Sequence, residues 1–245
     1  MRKLGYLATV DGYDSLRPPA FDLMLVVIST LGAVLASIQP IARPQVAARI
    51  ILDPTLFAVT LFLALRGSSG LAGLVQRGIL QVYMSYPVSR STVHATLFIS
   101  RVLAPAALLM ISPLVVTAVM LWPVVSRGLV EYMLVYAGYL IQAVFYGSVF
   151  MMISLVARSP GTSSVSSITF YFAYNVIHVI LSAVGQALSS STLIAISDSM
   201  MFYYMMYRSL LDVNISIINL ALVPAMLVVV YAMSHLYFTR RFEPR

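Results

Sequence analysis

Apolar runs of membrane-crossing length recur six times along the 245-residue chain, separated by short polar interruptions. A helix of about 20 apolar residues crosses the hydrocarbon core, so spans are expected at about 21–38, 50–65, 102–125, 132–157, 165–188 and 215–238. The segment before the first span is mixed, with Arg2, Lys3, Asp11, Asp14 and Arg17 ahead of Pro18-Pro19. It lacks the apolar core of a signal peptide, so the first span reads as an uncleaved anchor. Leu4, Leu7 and Val10 share one helical face there and predict a short interfacial helix. Pro105 and Pro113 predict kinks in the third span, and Trp122 an interface anchor at its far end. Asp53, near the start of span two, is expected to pair with Arg49 one turn earlier.

A different pattern lies between spans two and three. Gly67-Ser68-Ser69-Gly70 reads as a flexible turn. Leu71, Leu74, Val75, Gly78, Ile79, Val82, Tyr83 and Tyr86 then follow at helical spacing, with Gln76, Arg77 and Gln81 on or beside the opposite face. Such a segment is expected to lie along the membrane surface, and Pro87 to end it. Before the last span, residues 189–214 form another distinct stretch, serine-rich and then rich in Met and Tyr.

Composition agrees with the pattern. With 60% hydrophobic and 9% charged residues, the chain has too few charges to cover a water-facing surface. It reads as one all-α integral membrane domain, residues 1–245, with no room for a separate soluble catalytic domain. The absence of cysteine removes disulfides and thiolate metal sites. A net charge of +7 would suit nucleic acid, but in a membrane chain the placement of the basic residues matters more, and no nucleic-acid partner is expected. With both termini cytoplasmic, the inside segments hold eleven basic residues: Arg2, Lys3, Arg17, Arg66, Arg77, Arg90, Arg101, Arg158, Arg240, Arg241 and Arg245. The outside segments hold four, Arg43, Arg49, Arg127 and Arg208. This orientation, in the cell membrane, puts the amphipathic segment on the cytoplasmic face and the Met/Tyr stretch outside.

Candidate chemistry is sparse. His94, His178 and His235 lie on different segments, and none has a second histidine or carboxylate three or four residues away, so no metal site is expected. Asn175 and His178 share a face of span five. They read either as an interhelical hydrogen-bond pair or, with Gln142 of span four, as polar positions lining a translocation path. Gly67-Ser68-Ser69-Gly70 also matches the G-x-S-G of rhomboid-like intramembrane serine proteases, with Ser69 as nucleophile and His178 as base. The competing reading is the plain turn.

The run Ser85-Tyr86-Pro87-Val88-Ser89-Arg90, in place before a long third span, resembles the Ser-x-Pro-Val-Ser-Arg ending of the segment that type-2 ABC transporter permeases carry after their second span. Ser154-Leu155-Val156-Ala157-Arg158-Ser159-Pro160 is similar to that family's cytoplasmic turn between spans four and five, and Tyr237-Phe238-Thr239-Arg240-Arg241 to its basic C-terminal stop. The family's acidic residue before the Gly is replaced here by Val75-Gln76-Arg77. The resemblance implies a six-span fold with a cytoplasmic coupling helix and an external helical excursion at 189–214. It implies a dimer with a second permease copy or homologue, in membrane lipid, and a cytoplasmic ABC ATPase subunit that binds ATP and magnesium. Arg77, Gly78, Gln81, Tyr83, Tyr86, Pro87, Ser89 and Arg90 would then be the ATPase-docking residues. This chain has no G-x-x-x-x-G-K-[ST] phosphate loop of its own, so it is expected to be a transport subunit rather than an enzyme, with no cofactor bound by itself.

Overall fold

A computed structural model describes residues 11–13, 16–38, 43–85, 88–209 and 217–240. The described residues contain helices and no strands. Six helices are long and apolar enough to cross a membrane: Ala20–Ile38, Val46–Gln76, Arg90–Met120, Trp122–Ala157, Pro160–Ala187 and Ala221–Arg240. Between its end turns a helix satisfies its backbone polar groups within itself, which is what a hydrocarbon environment demands. The expected interfacial helix around Leu4, Leu7 and Val10 lies outside the described residues.

Helix α1 is Ala20–Ile38, and α2 runs Pro44–Phe62 with proline in its first turn, where the missing N–H costs nothing. The chain does not turn at Gly67-Ser68-Ser69-Gly70. Leu63–Ser68 forms a π-helical turn and α3, Ser69–Gln76, continues the same rod. This corrects the expected end of span two at residue 65, and the reason is packing. A Cβ on Gly67 would stand 2.8 Å from the Arg101 carbonyl oxygen, and one on Gly70 would collide with the Arg101 guanidinium. The small residues serve close approach between two helices, the use that membrane bundles make of them, rather than a bend.

The rod ends at Gly78, whose φ of +70° is left-handed, a conformation that glycine adopts at no steric cost. Its N–H donates to the Val75 carbonyl at 3.2 Å, closing the helix end as such caps do. Helix α4, Ile79–Ser85, follows, then α5, Arg90–Phe98, capped by the Ser89 hydroxyl accepting from the Thr92 N–H at 3.2 Å. A second π-helical turn, Ile99–Leu103, leads into α6, Ala104–Met120. Pro105, expected to kink the span, sits just after that turn. The wider turn relieves the clash of its ring with the preceding carbonyls.

Span three stops at Leu121, earlier than expected. Pro123 cannot donate back to residue 119 and instead opens α7, Trp122–Val125. A 3₁₀ turn, Ser126–Gly128, joins it to α8, Leu129–Ala157. Helix α9 is Pro160–Ala187. Two short helices, α10 (Ser191–Met200) and α11 (Phe202–Ser209), precede α12, Ile217–Arg240.

Helix α8 is central and touches α2, α9, α11 and α12. Its fully buried Tyr132, Tyr139, Phe145, Tyr146 and Phe150 fill the core. Helices α1, α9 and α12 are peripheral and present exposed apolar residues, among them Val26, Val165, Val179 and Val228. Such surfaces on a chain with so few charges belong in hydrocarbon.

Candidate partner-docking elbow

Spans two and three each run 31 residues, about 46 Å of helix, against about 30 Å of hydrocarbon. The surplus of about 16 Å corresponds to ten or eleven residues. Both rods are therefore about 15 Å longer than the hydrocarbon core is thick, and they join at the end that the Arg90–Thr239 bond holds level with the end of the last span. That joint, the α3–α4–α5 elbow, is where the sequence-predicted docking residues sit.

The predicted amphipathic stripe from Leu71 to Tyr86 is divided by this geometry. Leu71, Ala72, Leu74 and Val75 are buried inside the bundle as part of the second span. Only α4 is left as a separate helix. Leu80 of α4 is fully buried, and Ile79, Tyr83 and Met84 pack against the core. Tyr83, expected as an aromatic anchor for a partner, therefore faces its own bundle. Arg77, Gln81, Ser85, Ser89 and Arg90 are exposed, and so is Val82 at 54%. Gly78 provides the turn that brings α4 round. Tyr86 and Pro87 lie outside the described residues. Val82 was the residue missed: the periodicity that assigned it to the apolar face holds only if the helix runs unbroken through Gly78.

The elbow is tied to the far end of the chain. Arg90 Nη1 donates to the Thr239 carbonyl at 3.3 Å. One turn on, His94 Nε2 lies 2.9 Å from the Ser234 hydroxyl, and His94 Nδ1 lies 3.4 Å from His235 Nδ1. Tyr231 and Phe238 close around the His94 ring. The two histidines, distant in sequence, thus meet in space. No cluster of three or more metal-ligating side chains exists among the described residues. On the other flank, Gly73 approaches Pro160 at the start of α9. The elbow, the 158–160 turn and the end of α12 therefore gather at one end, with Arg77, Arg90, Arg158 and Arg240.

Beneath the elbow the two π-helical turns face each other. Arg101, in the second, is buried and grips Asp11: Nε donates to the two carboxylate oxygens at 3.1 and 3.0 Å, and Nη2 donates to Oδ1 at 2.5 Å. The Ser100 hydroxyl also donates to Asp11. Ser68 points the other way, into a closed network with Ser154, Ser163 and Ser167 from α8 and α9, at 2.5 to 2.9 Å.

At the opposite end of the bundle, Arg49 donates to Asp53 at 3.3 Å, the expected one-turn pair. Asp53 also accepts from the Tyr139 hydroxyl at 2.5 Å, and the Arg49 guanidinium stands over the Tyr204 and Tyr207 rings. Helices α10 and α11 fold back beside α9 and α8 as a helical hairpin. Tyr174 donates to the Met200 carbonyl at 2.7 Å, and Tyr203 stacks on Tyr139 at 4.3 Å. Burial, and then the Asp53 carboxylate, push the Tyr203 phenol above its ordinary value, so it stays neutral.

The three residues considered for a translocation path are not brought together as a polar lining. Gln142 is fully buried and its carbonyl accepts the Phe202 N–H at 2.9 Å. His178 Nδ1 lies 2.9 Å from the Ser197 carbonyl oxygen. Both pin the hairpin. Asn175 donates to the Tyr171 carbonyl of its own helix at 2.8 Å, so of the two residues read as interhelical hydrogen-bonding partners only His178 reaches another helix.

Ser69 and His178 are not neighbours either. Ser69 donates to the Leu65 carbonyl of its own helix. Adjacent Ser68 contacts Ser167, and His178 is eleven residues further along α9, about 16 Å of helix. A serine without a base in hydrogen-bond reach is not activated.

No protein-family model matches the chain, and no curated protein matches it.

Proposed function

We propose that this chain is the membrane-spanning permease subunit of an ATP-driven ABC exporter. A separate cytoplasmic ABC ATPase binds ATP and magnesium and docks on the elbow, and a second permease copy or homologue completes the membrane channel. The observation that carries this reading is the elbow itself. It joins two rods about 15 Å longer than the apolar zone requires and presents Arg77, Gln81, Val82, Ser85, Ser89 and Arg90 to its surroundings. A mixed apolar and cationic surface on a rigid lever suits a protein partner. The excess of arginine at that end supports a cytoplasmic elbow and cytoplasmic termini. The α10–α11 hairpin is then the external excursion.

In this reading, ATP binding draws two docked ATPases together and moves the elbows as rigid bodies. The Arg90–Thr239 and His94–Ser234 bonds carry that motion into α12. The paired π-helical turns, a feature frequent at functional sites, mark the level at which Gly67 packs on the Arg101 backbone. ATP acts because the partner's closed state has a different affinity for the two arrangements of the bundle.

The test is ATP hydrolysis carried by the tagged chain purified from its own membranes in mild detergent. Magnesium-dependent hydrolysis is expected with the wild-type chain and with Arg127→Glu at the far end. It is expected to be lost with Val82→Asp and Arg77→Glu, two exposed positions whose change leaves the buried core intact. Equal hydrolysis in all four, or full function of the chain without any ATPase, contradicts the proposal.

A further inference from the structure

We infer that a groove between α8 and α12 is a binding site for an anionic glycerophospholipid. The groove has a volume of about 360 Å³ and is lined by Met152 of α8 and by Met233, Leu236, Tyr237 and Arg240 of α12. The four α12 residues fall at i, i+3, i+4 and i+7, a single helical face. From Met233 to Arg240 the wall rises about 10 Å, and its chemistry changes in order along that rise. Two flexible thioethers, able to fit an irregular alkyl chain, stand at the bottom with Leu236. Tyr237 comes next, and the Arg240 guanidinium stands at the mouth. Alkyl chain, ester region and phosphate follow one another in the same order in a phospholipid.

The size and placement of the groove favour a lipid over other occupants. Its volume is in the range of small-molecule sites, about 300–1,000 Å³, and is too small for a partner helix. It opens on the flank of a peripheral helix whose Met233 and Leu236 are about half exposed, on the side where hydrocarbon surrounds the protein. Basic pockets between membrane helices recognise anionic headgroups, and each cation near the surface contributes about 1 kcal/mol, or about fivefold in affinity. The leaflet involved follows from the proposed orientation, whereas the binding itself requires only this groove. Because the wall belongs to the helix that the elbow bonds through Thr239 and Ser234, a bound lipid would brace the lever.

Native mass spectrometry of the full-length chain in detergent tests this, with phosphatidylglycerol and phosphatidylcholine of identical chains as probes. Phosphatidylglycerol is expected to be retained about fivefold more tightly. Arg240→Gln is expected to abolish that preference, and Met233→Trp to lower retention of both lipids. Val228→Trp, on another face of α12, is expected to change neither. If Met233→Trp fails to fold, Met152→Trp fills the groove from the opposite wall. Equal retention of the two lipids, an unchanged preference in Arg240→Gln, or retention unaffected by the tryptophan overturns the inference. Competition by glycerol 3-phosphate as effective as that of the lipid also overturns it, since the site would then bind a free phosphate.

Discussion

Replacing Asp11 with Ala removes the carboxylate from a buried ion pair and leaves Arg101 in place. In the folded protein the two side chains are 1% and 3% exposed, and the guanidinium reaches both carboxylate oxygens through Nε and Nη2. The pair as a whole contributes little net stability, because desolvating both ions offsets their attraction. Removing one ion while the other stays buried costs about 3–5 kcal/mol. Arg101 cannot swing away without disturbing neighbours, since its carbonyl packs on Gly67 and its guanidinium on Gly70. Asp11→Ala should therefore lose about 3–5 kcal/mol, and Asp11→Asn, which keeps an acceptor, somewhat less. The double variant Asp11→Leu/Arg101→Met replaces both charges with apolar groups and should come within about 1 kcal/mol of wild type. Unfolding titrations in mixed micelles measure all four free energies. A single-variant cost below about 1 kcal/mol, or a double variant as unstable as Asp11→Ala, would refute the claim that this buried pair holds Asp11 to the second π-helical turn.

Three further outcomes follow from the Gly-Ser-Ser-Gly run. Gly67→Ala places a methyl 2.8 Å from the Arg101 carbonyl oxygen and should cost about 1–3 kcal/mol in the same titration, whereas Gly161→Ala, with nothing within 4 Å, should change little. Ser68→Ala removes the hub of the four-serine network and should cost about 1 kcal/mol. Ser69→Ala breaks only a bond to its own helix; substrate export by cells carrying it should match wild type, and loss of activity with intact folding would revive a nucleophilic serine.

The positions of six apolar helices were legible because hydrocarbon imposes a local requirement, a long apolar run, that no distant residue has to complete. The Arg49–Asp53 pair was legible for the same reason, being one turn apart. Helix ends were read less well. Gly67-Ser68-Ser69-Gly70 has the composition of a turn, and only the closeness of Arg101 from another helix shows why small residues are needed there. Pro123 is a local signal for the break at Leu121, but the apolar run continues across it and obscures the boundary. The elbow was located by its polar residues, yet its inward and outward faces were not, since Gly78 resets the helical phase between Val75 and Ile79. The Asp11–Arg101 and His94–His235 contacts join residues 90 and 141 positions apart, and no spacing rule reaches that far.

The central claim is that the Ile79–Ser85 helix faces the cytosol, where an ATPase can reach it. The chain contains no cysteine, so Gln81→Cys introduces a single exposed thiol into a background free of other labelling sites. A membrane-impermeant maleimide applied to intact cells and to inside-out vesicles reads the side directly. Labelling in inside-out vesicles alone, reduced when the ATPase partner is bound, is the predicted result. Labelling in intact cells would contradict the orientation and the docking role together.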